Sequence, residues 1–276
     1  MSVIRNERRF LPNSSTKKIY QNIKLELENL GIKMGRDKTH QLLKENRLLV
    51  PKKKLYYKTT RSMWRFKKYP NLIKELEIKQ PEQVWVSDVT YVKVGNKHFY
   101  LHLITDAYSK RIVGYCLSDR VDAESSLNAL KMALSKRLYP DRTIIHHSDR
   151  GSNYNNDLYT GYLTSHNMVP SMTENSDPYE NAMAERVNGI LKQEFGVGNG
   201  FTDFKMAKRE IANAILLYNT RRPHLSCYMM TPMQAHICGT YKLRSWKKKF
   251  STTGMPVVEN KSLFLEKIDT KSVNHF

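Results

Sequence analysis

Between Val84 and Leu117 the chain carries three β-rich runs broken by two short turns, and this pattern limits the fold more than any other feature. Val84-Trp-Val-Ser-Asp-Val-Thr-Tyr-Val-Lys-Val94 ends at Gly95-Asn96, and His98-Phe-Tyr-Leu-His-Leu-Ile-Thr105 ends at Asp106-Ala-Tyr-Ser109. Arg111-Ile-Val-Gly-Tyr-Cys-Leu117 closes the set. Runs of Val, Ile, Thr and aromatics between turn residues read as strands, and links this short imply an antiparallel meander. The period then changes. Leu127, Leu130 and Leu134 lie on one face of a helix from Asp122 to Arg137, and Thr143-Ile-Ile-His-His147 follows as a short buried strand. A further helix, a strand near Met168 to Met172, and helices over 182–195 and 203–220 complete the series. A meander followed by alternating helix and strand predicts an α/β fold, a mixed five-stranded sheet flanked by helices.

The residues before this region differ in charge. The whole chain has 46 Lys and Arg against 26 Asp and Glu, a net of +20 over 276 residues. Residues 1–80 hold 21 of those cations and 7 of those acids, a net of +14, which exceeds what solubility requires and points to a polyanion. Ile19, Ile23, Leu27 and Leu30 recur at helical spacing up to Gly31, and Leu42 and Leu43 mark a second helix among Lys38, His40, Lys44 and Arg47. Two short basic helices joined by a Gly-containing turn fit a small all-α helix-turn-helix module. Its boundary is drawn at Pro51-Lys-Lys-Lys54, giving a module over 1–54, a basic aromatic linker over 55–80, a core over 81–240 and a basic tail over 241–276. No apolar run approaches the ~18 residues of a membrane span, and the start has no apolar signal core. Cys116, Cys227 and Cys238 form no CxxC pair, so neither a disulfide framework nor a cysteine zinc site is expected, and a cytoplasmic location is.

Three carboxylates stand out from the rest. Asp88 shares a strand face with Val84 and Val86, where a charge is costly unless a metal or partner compensates it. Asp149 follows the fourth strand in Ser148-Asp-Arg-Gly-Ser152, at the sheet edge where α/β proteins bind ligands. Glu185 lies on a helix for which Asp177, Pro178 and Glu180 supply a start signal, on one face with Asn188, Gly189 and Lys192. Hard carboxylate ligands favour Mg2+ or Mn2+, and two such ions can serve phosphodiester chemistry. The plainer readings are a turn residue for Asp149 and a surface charge for Glu185. His146 and His147 read as packing or hydrogen-bonding residues, and Asp106 as a turn residue.

Four segments carry a resemblance: Trp85-Val-Ser-Asp-Val-Thr-Tyr91, His146-His-Ser-Asp-Arg-Gly-Ser-Asn-Tyr154, Asn181-Ala-Met-Ala-Glu-Arg-Val-Asn-Gly-Ile-Leu-Lys192 and Tyr218-Asn-Thr-Arg-Arg-Pro-His224. Together they resemble the transposases of bacterial insertion sequences, of the second-frame (OrfB) type with a retroviral-integrase-like core. Sixty residues separate Asp88 from Asp149 and 35 separate Asp149 from Glu185, matching that family's D, D-35-E pattern, and Lys192 matches its basic residue. Unlike retroviral integrases, the chain has no His/Cys cluster near its start, where His40 is the only His before residue 98.

The resemblance implies a ribonuclease-H-like core in which Asp88, Asp149 and Glu185 bind two Mg2+ ions, with Mn2+ able to substitute. It implies cleavage at the element's 3′ ends followed by strand transfer, commonly through a circular intermediate. The implied partners are terminal-repeat and target DNA, an upstream-frame product or fusion, and further copies of the chain assembled on DNA, in the bacterial nucleoid and away from membranes. DNA contacts are expected at Lys192, Arg36, Lys38, Lys52, Lys53, Lys54, Arg221 and Arg222, the last two divided between phosphate contact and local capping. The rival readings are a metal nuclease of the same fold that joins no strands, and a non-catalytic DNA-binding protein.

Overall fold

The computed structural model describes residues 1–50, 69–174, 181–239 and 241–242. Residues Met1–Leu243 form one contact unit. Its sheet consists of β1 (Val84–Val94), β2 (Lys97–Asp106), β3 (Ile112–Ser118), β4 (Ile144–Ser148) and β5 (Met168–Met172), in the order β3-β2-β1-β4-β5. The first three strands are the antiparallel meander, with Asp88 opposite Leu103 and Tyr91 opposite Tyr100. β4 returns parallel to β1, and β5 parallel to β4.

Strand alternation then assigns the helices to the two faces. Trp85, Ile104 and Val113 point to one side, where α4 (Ala123–Ser135) and α5 (Asp157–Ser165) cover them with Leu127, Leu130, Tyr159 and Leu163. Val92, Val94, Leu101 and Leu103 point to the other, under Val187, Ile190 and Leu191 of α6 (Ala182–Glu194) and Ile211 and Ile215 of α7 (Phe204–Thr220). Each fully buried aromatic or aliphatic side chain contributes about 1.5–3 kcal/mol to holding these layers together. β3 lies so close to α4 that a Cβ on Gly114 would sit 2.1 Å from the Ala129 carbonyl oxygen.

The N-terminal segment holds three helices: α1 (Ser2–Phe10), α2 (Thr16–Asn29) and α3 (Arg36–Glu45). The helical spacing gives α2 and α3 but not α1, whose sequence is mostly polar and buries only Ile4 and Glu7. Ile4 and Leu11 join Ile19, Ile23, Leu27 and Leu43 in one small core. A final helix, α8 (Pro232–Cys238), also escapes the apolar-period reading. Its signals are local: a Thr231/Gln234 capping box, Pro232 in the first turn and a left-handed Gly239 at its end.

Within the stretch expected as a basic linker over 55–80, Ile73, Leu76 and Ile78 pack against the Val84/Val86 cluster and the Leu72 N–H donates to Ser171 Oγ at 3.0 Å. Helix α6 runs over Ala182–Glu194, in line with the expected 182–195, with Asn181 as its cap residue. The Asn181 amide is drawn to the Ser87 carbonyl at 3.1 Å, which ties the helix start to β1. Asp177, Pro178, Glu180, Lys52, Lys53, Lys54 and the tail from Leu243 onward lie outside the described residues.

Candidate active site

β1 and β4 are neighbours at the sheet's centre, paired Val84–Ile145, Trp85–His146 and Val86–His147. Continuing that register by two residues sets Asp88 level with Asp149, on the face that α6 covers. β4 stops at Ser148, so Asp149 stands where the parallel strands open into a loop. Ala184 of α6 packs on Val84 and Val86, which places Glu185, next in the helix's first turn, beside the two aspartates.

Each aspartate has its own support. Asn188, buried on α6, donates to Asp88 Oδ2 at 2.7 Å, and the Val89 backbone N–H donates to Oδ1 at 2.9 Å. The Gly151 N–H donates to Asp149 Oδ1 at 3.0 Å. That loop is anchored further on, where Asn153 donates to Ser126 Oγ of α4 at 2.9 Å and Ser126 also bonds the buried His102 at 2.9 Å. A Cβ at position 151 would come within 2.6 Å of Asn153 Oδ1 and 3.0 Å of Asp149 Oδ1, so both side chains would have to shift to admit it. Arg150 donates to the Thr173 and Glu174 carbonyls after β5 and holds the loop's outer side.

Solvent reaches both aspartates, since Asp88 is half-buried and Asp149 exposed, yet the packed surroundings disfavour their charge. Burial pushes Asp88 up to about 7, Asp149's charge adds to that and Glu185's adds less, while the Asn188 and Val89 hydrogen bonds oppose it. Burial raises Asp149 as well, against its bond from Gly151. A carboxylate at Asp88 that both burial and two neighbouring acids disfavour calls for a cation. The donors are all hard oxygens, and Asn188 adds an amide oxygen that is buried without a hydrogen-bond partner. That set fits Mg2+ or Mn2+. Among the described residues, no three acidic, His or Cys side chains stand close enough together to hold a metal ion as they are placed.

Lys192, in the last turn of α6, holds its ammonium 3.9 Å from the centre of the Tyr91 ring, and burial lowers its pKa against the opposing pull of Asp88. Tyr91 is 58% exposed and was not singled out from the sequence, although it stands three residues after Asp88. His146 and His147 carry internal hydrogen bonds, His146 to Ser87 at 2.7 Å and Tyr159 at 2.9 Å, and His147 to Ser171 at 2.9 Å. Burial, then the neighbouring His147, pushes His146 down to about 3, so it is neutral. Asp106 serves its turn, accepting from the Ser109 N–H and hydroxyl and from Glu82 N at 2.7 Å each.

The expected DNA contacts divide. Arg36 and Lys38 stand exposed on the first turn of α3. Arg221 and Arg222, for which the sequence leaves both phosphate contact and local capping open, each take part in an ion pair within the chain. Arg222 is buried in a two-pronged pair with Glu194 at 2.8 and 2.9 Å, and Arg221 pairs with Glu7 of α1 at 2.6 Å.

The sequence matches two models of an integrase core domain, over residues 78–178 and 166–232. It is 34% identical over 209 residues to the "Insertion element IS600 uncharacterized 31 kDa protein" of Shigella sonnei, covering 73% of this chain and 75% of that protein. It is 34% identical over 155 residues to the transposase InsF for insertion sequence IS3A of Escherichia coli, covering 56% of this chain and 54% of that relative, about half its length. The fold is similar to that of a chain in the simian T-cell lymphotropic virus intasome, with a TM-score of 0.50 at 19% identity over 71% of this chain and 66% of the other. No helix among the described residues is long and apolar enough to cross a membrane.

Proposed function

The chain belongs to the insertion-sequence transposases with an integrase core, a family of polynucleotidyl transferases, and from that premise we propose that it cuts and joins DNA with Asp88, Asp149 and Glu185 as its catalytic acids. One observation carries the reading: Asp88 on β1 and Asp149 just past the end of the neighbouring β4 lie beneath a helix that adds Glu185, and Asp149 and Glu185 both raise the cost of charge on Asp88. Asp88 and Asp149 would hold the first Mg2+, and Asp88 with Glu185 a second. Bound there, the ions would lower the charge of the scissile phosphate and acidify the attacking water or hydroxyl.

The chain's residues then have distinct tasks. Asn188 holds Asp88 in place by donating to one carboxylate oxygen, and Gly151 and Asn153 set Asp149. Lys192, steadied on Tyr91, would take a phosphate oxygen near the cleavage point. In the first step a water oxygen bonds to phosphorus and releases the 3′-OH of the element end, its proton passing to solvent. In the second, that 3′-OH displaces the 3′ oxygen of another strand. One phosphodiester forms for each one broken, so no energy-carrying cofactor is needed. The basic α2–α3 pair would hold terminal-repeat DNA, with Arg36 and Lys38 facing it, while two ends would require more than one copy and, as a fusion or partner, the upstream-frame product. The site of action would be the nucleoid.

The test incubates the protein with Mg2+ and a labelled terminal-repeat duplex beside an Asp149→Asn variant. Nicking and joining by the wild type alone are expected. Nicking without joining would favour a nuclease, and equal inactivity of both would refute catalysis by this chain.

A further inference from the structure

Helix α6 is gripped at both ends. Its first end is tied to β1 through Asn181 and Asn188. The last carbonyls of a helix need partners from outside it, and those of α6 find them in the turn between α1 and α2. Asn13 donates its backbone N–H to the Glu194 carbonyl at 3.3 Å and its side-chain amide to the Gln193 carbonyl at 3.2 Å. The Ser14 hydroxyl donates to the buried Glu194 carboxylate at 3.0 Å, and Lys18 of α2 reaches both carboxylate oxygens at 2.9 and 3.0 Å. Arg222, following α7, takes the same carboxylate from the other side. Phe195, just beyond the helix, packs into the N-terminal core.

We propose that Asn13, Ser14 and Lys18 are positioning residues for the active site: the N-terminal module clamps the helix that carries Glu185 in its first turn and Lys192 in its last. A 13-residue helix is a rod about 20 Å long, so restraint of one end sets the tilt of the other. Glu194 keeps Arg222 when Lys18 is removed, so the loss is one of restraint rather than an orphaned buried acid. Docking of the module therefore does more than deliver DNA. It fixes the geometry of cleavage, and it links the grip on DNA by α2–α3 to the catalytic helix. The inference rests on the DNA-cutting reading above.

The test uses the full chain with Lys18→Met, Lys18→Arg and Asn13→Ala. At saturating terminal-repeat DNA, Lys18→Met and Asn13→Ala are expected to lower the single-turnover cleavage rate about 10–100-fold, with DNA affinity and its salt dependence unchanged, and Lys18→Arg to restore most of the rate. If Lys18→Met instead weakened binding and flattened the salt dependence by about one charge, at an unchanged rate, Lys18 would be a phosphate contact and the proposal overturned. Hydrogen exchange on the DNA-free protein gives a second readout that needs no activity. The amides of α6 are expected to exchange faster in both Lys18→Met and Asn13→Ala while those of β1 and β2 hold. Unchanged α6 exchange would overturn the clamp even if the wild type cut no DNA, whereas an inactive wild type with faster α6 exchange in the variants would count against the DNA-cutting reading alone.

Discussion

Gly151→Ala tests whether the loop after β4 is shaped around the Asp149 carboxylate. The backbone at Gly151 is not in the left-handed region, so alanine adds no conformational strain, and the effect is purely one of space. The new Cβ would lie 3.0 Å from Asp149 Oδ1 and 2.6 Å from Asn153 Oδ1. Against an ordinary contact of about 3.4 Å, the carboxylate must retreat by about 0.4 Å and the amide by about 0.8 Å. The amide's shift loosens its bond to Ser126, which ties the loop to α4. Displacements of about 1 Å in a catalytic group cost on the order of 100-fold in rate, so a fall of about 10-fold is expected here. Gly151 itself is only half-buried and meets side-chain ends rather than backbone, so the stability loss should stay within about 1 kcal/mol, or roughly 2–4 °C in Tm.

The assay is single-turnover nicking at saturating DNA and Mg2+, paired with thermal unfolding. Gly161→Ala on the exposed side of α5 is the control, because nothing lies within 4 Å of its added Cβ. It should gain about 0.5–1 kcal/mol of stability and leave the rate unchanged. A Gly151→Ala protein that nicks at the wild-type rate would refute the reasoning, as would a loss of rate that only tracks a loss of folded protein.

Three further outcomes are expected. His236 is fully buried between Asp106 and Glu82, and these acids hold its pKa above the ordinary value against the cost of burial, while both acids lie below theirs. The histidine's contribution is complete below its unfolded pKa of about 6.5 and lost as pH rises through the raised one, and the acids' is complete above about 4 and lost in stronger acid. The wild-type Tm should therefore fall between pH 6 and 8 by a component that His236→Gln abolishes. Tyr91→Leu removes the ring beneath Lys192, a contact worth about 0.5–1 kcal/mol, and should weaken terminal-DNA binding about two- to fivefold at an unchanged salt slope. Gly114→Ala forces a Cβ to 2.1 Å from the Ala129 oxygen; a cost of about 3 kcal/mol or more is expected, lowering Tm by roughly 6–12 °C.

The sheet was legible in the sequence because each strand is written locally, as β-rich runs between turn residues. The acids were legible for the same reason: alternation puts Asp88 on the face of Val84 and Val86, and Asp149 falls just past a strand end. What escaped depends on partners distant in the chain. Nothing near Arg222 announces that it meets Glu194, or that Arg221 meets Glu7, 214 positions away, so the sequence leaves both divided between phosphate contact and local capping. Helix α1 carries little apolar pattern because much of what fixes it is a buried acid, Glu7, bonded to Asn22 and Arg221. Helix α8 was readable from its Thr231-Pro-x-Gln signal, which an apolar-period reading passes over. The span of α6 was legible too, though its tie to β1 through Asn181 and Ser87 is a tertiary contact that sequence does not display.

The central claim is that Asp88, Asp149 and Glu185 serve one metal-dependent site, and Mn2+ binding measured by electron paramagnetic resonance on the terminal-repeat complex tests it most directly. The wild type should immobilise Mn2+, Asp88→Asn and Asp149→Asn should each lose that signal, and Glu185→Gln should weaken it, all three with DNA still bound. Wild-type Mn2+ binding by both aspartate variants would contradict the account.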